Sequence, residues 1–355
     1  MDNVEDYGPV AHRLAFSEAI KKKLLTDYEI VVVGVDDPAI AEGIKDREFL
    51  MVDGHSINAE ELAAHIAIHR TMEKKGTRRM LTFHSRVNQA ENFSKNIPIV
   101  KDWLKKNRRL HAPKIWGDWV SGEMSVSKRE KVLQKLDSLE DGGCGIVSNA
   151  RCLGEGVDVP SIDGISFVQP KRSAIDIVQA VGRAIRKSAK KDGVSTIILP
   201  VPILDSEDAT STVESSSFET VWRVLEALRS HDDELSESLD GLRTQLGERL
   251  RARISVPKIT WDMPRSVDVA FNDSLRLEVL EHTTDDFWVG LGRLKAYKAE
   301  HGHVRVHNYF KTEDGFGLGG WVGNRRRGYK KGQLSEEKIQ ELENLGFVWD
   351  ARNSE

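Results

Sequence analysis

The stretch QAVGRAIRK, Gln179 to Lys187, decides how the middle of this 355-residue chain is read. Taken as a helix, it sets Gln179, Arg183 and Arg186 at i, i+4 and i+7 on one face. Val178, Val181 and Ile185 fall on the opposite face, at i, i+3 and i+7. A helix buried along one side then presents a glutamine and two arginines together, and Gly182 leaves room for another backbone to approach. The flanking sequence alternates. YEIVVVGV at 28–35 and residues 79–84, 145–148, 164–168 and 195–201 read as strands, and residues 60–74, 87–93, 128–139 and 173–186 as helices. Strands alternating with helices over 76–201 predict an α/β fold with an open, mostly parallel sheet.

Composition bounds the rest. With 30% charged and 39% hydrophobic residues and no apolar run near the roughly 20 residues a bilayer crossing needs, the chain reads as soluble, with no membrane partner. The N-terminus, MDNVEDYGPV, lacks an apolar signal core. Cys144 and Cys152 have neither metal-ligand nor disulfide-framework spacing, so a reduced, cytoplasmic setting is expected, with no metal site. The net charge of −4 is unevenly spread. Residues 205–248 hold twelve carboxylates against three arginines, whereas 101–114 hold six basic residues and one aspartate. Arg325, Arg326 and Arg327, followed by Lys330 and Lys331, form a compact basic cluster around Tyr329, suited to phosphate contact and base stacking. His301, His303 and His307 have no cysteine or acidic partner at metal-ligand spacing and read as solvated or structural.

Three segments belong with one another: LTFHSR at 81–86, SNARCLGEGVDVP at 148–160, and QAVGRAIRK. Each follows a strand, and all three are expected at the carboxyl ends of the strands, where open α/β sheets bind ligands. In this order they resemble motifs IV, V and VI of the superfamily 2 helicases, the DEAD/DEAH-like nucleic-acid-dependent ATPases, on the second of two RecA-like domains. The resemblance implies that Arg183 and Arg186 are arginine fingers facing ATP in a cleft between the two domains. Such an arginine is worth about 10³–10⁵ in rate in phosphoryl-transfer enzymes. It also implies that Gln179, Gly182, Gly156 and Asp158 lie near the nucleotide. Ser85 and Arg86 would contact the nucleic-acid backbone, although a helix N-cap is an equally good reading of Ser85.

Residues 1–38 look like the end of the first RecA-like domain, completing that domain's sheet, and 39–204 like the second. Residues 205–256 read as an acidic linker with a helical connector. Residues 257–350 resemble the helicase-associated domain, a small helical module, through Asp286–Trp288, Gly319–Arg327, Leu334–Lys338 and Leu345–Trp349. There Trp288, Trp321 and Trp349 with Leu291, Leu294, Leu342 and Leu345 would build a small aromatic core, leaving Arg325, Arg326, Arg327 and Lys330 for nucleic acid.

An ATPase also needs a Gly-Lys phosphate loop and an Asp-Glu pair for Mg²⁺. No Gly-Lys dipeptide occurs here, and the one Asp-Glu, Asp233-Glu234, lies in the acidic stretch. The expectation is the C-terminal half of a DNA or RNA helicase, inactive alone, using ATP with Mg²⁺ only if a separate chain supplies the first RecA-like domain. The alternative is a non-catalytic nucleic-acid-binding or helicase-docking protein.

Overall fold

The computed structural model describes residues 14–350, apart from 108–113, 141, 151–161, 170–172, 188–192, 206–211, 215 and 250–254. The chain divides into two compact units. Residues through Leu235 and Pro257–Leu275 form the first, and Ser236–Val256 with the residues from Arg276 onward form the second.

The first unit is built on β1 (Tyr28–Val35), whose Ile30, Val31, Val32 and Val33 are almost wholly buried. A run this apolar fits a strand covered on both faces, as parallel sheets require. Seven strands line up in the order β5-β6-β4-β7-β8-β1-β9: β4 is Arg79–His84, β5 Ile115–Ser121, β6 Cys144–Ala150, β7 Gly164–Gln169, β8 Ser195–Pro202 and β9 Ile259–Asp262. Every pairing among them is parallel. Period 2 turns Val31, Val33 and Val35 toward a core shared with Leu62 and Ile66 of α3 (Ala59–Lys75). Asn58 caps α3 by accepting the Glu60 and Glu61 N–H groups, and Gly76 ends it in the left-handed region. Two shorter helices precede α3: α1 (Phe16–Lys21) and α2 (Pro38–Lys45).

The α/β reading holds, and the sheet is wholly rather than mostly parallel. A separate antiparallel hairpin, β2 (Phe49–Val52) with β3 (His55–Asn58), turns through Asp53 at φ 45° and Gly54 at φ 83°. Asp-Gly is a pair that suits a two-residue hairpin turn with both central residues at positive φ.

Three domain boundaries move. Residues 28–35 complete the sheet of this unit, not that of another domain, because β1 pairs with β8 along its whole length. The connector expected after residue 205 is helical as read, and its first helix is part of this unit. Helix α7 (Ser216–Arg229) packs on β8 and on the helix carrying QAVGRAIRK, α6 (Ala174–Ala184). Residues 257–262 belong to the sheet, since β9 extends it beside β1, with Ile259 opposite Ile30.

In the second unit, α10 (Asp286–His301), α11 (Leu318–Lys330) and α12 (Glu336–Asn344) surround Trp288, Leu291, Leu294 and Leu342, with Trp321, Leu345 and Trp349 partly buried against them. The expected aromatic core is present. Gly319 is required there: a Cβ would sit 2.1 Å from the His307 carbonyl oxygen. The chain passes between units within α8 (Asp233–Arg249), between Val256 and Pro257, and within α9 (Val269–Thr283).

Candidate nucleotide and nucleic-acid faces

Helix α6 begins just beyond the carboxyl end of β7, with the Ser173 hydroxyl accepting the Asp176 N–H, and runs back against the strand direction. It finishes where β8 starts: Ser195, the first residue of β8, donates its hydroxyl to the Ala184 carbonyl at 3.0 Å. Arg183 therefore stands at the amino edge of the sheet, with Gln179 one turn earlier; both are half-buried. Ser85 and Arg86 follow β4 at the carboxyl edge, about 20 Å away by the length of a six-residue strand. The expectation that both segments share the carboxyl edge is thus overturned. A helix returning across a parallel sheet must deliver its last turn to the opposite edge from its first.

Two further details depart from the helical reading of QAVGRAIRK. The helix stops at Ala184 with Ile185 as its cap, so Arg186 lies beyond it, exposed, in a backbone bridge with Leu25. It does not continue the face of Gln179 and Arg183. Gly182 is not crowded by backbone: the nearest atoms to a Cβ there would be in the Phe16 ring, at 3.9 Å.

At the carboxyl edge, Arg86 is the first residue of α4's cap: its carbonyl accepts the Ala90 N–H as α4 (Val87–Asn107) begins. Gln89 reaches back to accept the Arg86 N–H at 3.1 Å and the Ser85 hydroxyl at 2.9 Å, the glutamine half of a capping box. Ser85 donates to a side chain and caps no backbone group. Arg86 is exposed. Gly156 and Asp158 lie outside the described residues.

Beneath this edge three imidazoles are buried, a grouping the sequence did not announce. His65 stacks on Phe93 at 3.7 Å, His84 meets the same ring at 4.9 Å, and His69 lies 5.9 Å from His65. Burial holds all three below the ordinary histidine range, His69 and His84 at about 3. They are neutral core residues.

In the second unit the basic cluster divides. Arg326 donates from Nε to the Val348 carbonyl at 2.8 Å and covers the Phe347 ring, and Arg325 lies over Trp321. The Arg326 guanidinium thereby ties α11 to the protein's own C-terminal segment. Arg327, Lys330 and Lys331 are exposed beside Tyr329, which stacks on Trp349 at 4.0 Å and 13° with its outer face open. His301 stacks on Tyr297, and the Nδ1 atoms of His303 and His307 accept the Arg305 and Tyr309 N–H groups. All three histidines are engaged by neighbours close in sequence.

Residues 60–188 match the helicase conserved C-terminal domain family, and residues 284–350 match the helicase associated domain family. The chain therefore carries a helicase C-terminal domain followed by a helicase associated domain. A probable helicase of African swine fever virus is 25% identical over 240 residues in a Kenyan isolate and 25% over 245 residues in the Badajoz strain. Each match takes in 67% of this chain and 25% of the relative, so the chain spans about a quarter of the length of these relatives. Among solved structures, the ATP-dependent Type ISP restriction-modification enzyme LlaBIII bound to DNA superposes with a TM-score of 0.63 at 22% identity. That superposition covers 99% of this chain and 26% of the other. It shows that this chain shares the fold of part of that enzyme. Among the described residues no helix is long and apolar enough to cross a membrane.

Proposed function

We propose that this helicase-family chain supplies the second half of an ATP-dependent nucleic-acid translocation site: arginine fingers at one edge of its sheet and nucleic-acid contacts elsewhere. The observation that carries the reading is the separation of Arg183 from Ser85 and Arg86 across the sheet. A nucleotide cannot be held by both, so the arginine edge faces a partner body, while the carboxyl edge is left for the polynucleotide. In this role Arg183 and Arg186 stabilise charge developing on the transferred phosphoryl. Gln179 adds a hydrogen bond in the same cleft. ATP and Mg²⁺ would be bound by a Walker-loop domain, in further sequence or in a separate cytoplasmic chain, since no Gly-Lys loop occurs in these 355 residues. Arg86 at the carboxyl edge and Arg327, Lys330 and Lys331 around the open face of Tyr329 supply phosphate contacts and one stacking platform for DNA or RNA.

The test is ATPase activity with and without nucleic acid. The chain alone shows no turnover; adding a Walker-loop domain of the same family restores stimulated turnover, and Arg183→Ala removes it. Turnover by the chain alone that disappears in Arg183→Ala contradicts the reading. Nucleic-acid binding with no turnover in any mixture favours a non-catalytic binding protein.

A further inference from the structure

The segment before β1 contains nothing that the helicase reading uses, yet it is packed onto the arginine turn. Helix α1 sets Phe16 beside Gly182 of α6. Beyond α1 the chain makes a paired hydrogen-bonded turn, with Lys23 N–H on the Ile20 carbonyl and Leu24 N–H on the Ala19 carbonyl. It then runs straight into the bridge between Leu25 and Arg186, where the Thr26 N–H donates to the Ile185 carbonyl at 2.8 Å. Lys187 Nζ reaches the Lys23 carbonyl at 3.5 Å, across 164 positions of sequence. Lys21, Lys22 and Lys23, all exposed, are thereby held on the same surface as Arg186 and Lys187.

Lysines in the last turn of a helix complement its carbonyl end, and Lys22 also pairs with Glu18 at 2.5 Å. That accounts for Lys21 and Lys22 but not for Lys23. Lys23 occupies the turn position at φ 59°, the left-handed region where glycine is the unstrained residue. A lysine there carries a backbone cost and adds to a crowd of like charges. Such a surface favours a bound polyanion.

Resting on the arginine-finger reading above, we propose that the Lys21–Lys23 turn is a second phosphate-contacting element of the amino edge. It would join Arg183 and Arg186 on the polyphosphate chain of a nucleotide presented by a Walker-loop domain. Its occupant is the polyphosphate of a nucleotide, not the backbone of a nucleic acid.

The probes are inorganic tripolyphosphate and a thymidine oligonucleotide, each titrated calorimetrically into the full chain at low ionic strength. Lys21→Ala/Lys23→Gly should weaken tripolyphosphate binding about tenfold, as expected for lost charge-assisted contacts. It should leave oligonucleotide affinity unchanged, and the melting temperature should hold or rise, because glycine relaxes the turn. Tripolyphosphate affinity kept in the lysine variant but lost in Arg183→Ala/Arg186→Ala would overturn the lysine role and leave the arginine reading intact. No tripolyphosphate binding by the unaltered chain overturns the lysine role, whereas the arginine reading, which places the nucleotide on a Walker-loop domain, stands or falls with the ATPase test above. Weakened oligonucleotide binding with tripolyphosphate binding retained would assign the turn to nucleic acid and also overturn the proposal.

Discussion

Arg326 and Arg327 are neighbours in the sequence and do different work. One turn of α11 sends the Arg326 guanidinium onto Phe347 and the Val348 carbonyl, while Arg327 stays in solvent beside Lys330. Arg326→Ala loses a charge-assisted hydrogen bond and a cation–ring contact at a partly exposed site. It should cost the second unit about 1–2 kcal/mol, read as a lower melting temperature. Arg327→Ala should shift stability by less than about 0.5 kcal/mol, and should weaken nucleic-acid binding and reduce the salt slope by about one. If Arg326→Ala leaves melting unchanged and weakens binding as Arg327→Ala does, the division of the cluster is wrong. Three consecutive arginines look alike in the sequence. Which of them is spent on packing depends on Phe347 and Val348, much later in the chain.

At the scale of elements, a buried ionic cluster welds three parts of the first unit. Lys258, at the entry to β9, places Nζ 3.0 Å from the Asp232 carboxylate, 3.4 Å from Asp27 and 3.7 Å from Glu234, over the ring of Tyr28. Asp232 is fully buried and also accepts the Tyr28 hydroxyl at 2.6 Å. Burial pushes the Tyr28 phenol upward, and the adjacent Asp232 charge adds to this. Burial alone would lower Lys258, but its hydrogen bond to Asp232 and the surrounding carboxylates outweigh that and raise it. The pair ties the α7–α8 junction and β9 to the start of β1. Lys258→Met leaves a buried carboxylate without its cation and should cost about 3–5 kcal/mol in urea unfolding. Asp232→Leu/Lys258→Met, which removes both charges, should cost less than the single change. A double variant less stable than the single one would argue against a desolvated pair.

Over the whole chain, acid sensitivity should follow the three buried imidazoles. His65, His69 and His84 bind a proton readily in the unfolded chain, near the ordinary value of about 6.5, but not in the folded one. The unfolded state therefore holds more protons below about pH 6.5. Stability is fully present above that value and falls as pH drops toward about 3, by up to about 1.4 kcal/mol per pH unit for each histidine. Denaturant midpoints measured from pH 7.5 to 5 should decline below about 6.5. His69→Gln should flatten the decline, and a flat profile in the unaltered protein would contradict neutral burial.

The fold class was legible because a parallel α/β unit repeats a local pattern: a β-branched run, a turn and an amphipathic helix, all visible within about thirty residues. QAVGRAIRK was legible for the same reason. Harder to see were β5, whose IWGDWVS is interrupted by Gly117 and Asp118, and β9, four residues long. β9 becomes a strand only by pairing with β1 more than two hundred residues earlier. Residue identities and short-range periodicity determined the elements, the motif family and the missing Gly-Lys loop. Tertiary structure alone decided which edge each motif reaches, that Arg186 leaves the helix, that residues 28–35 and 259–262 share a sheet, and that a lysine turn lies beside the arginines. These features follow from the direction of helices across the sheet and from pairings between distant segments, and neither is encoded in any single window of sequence.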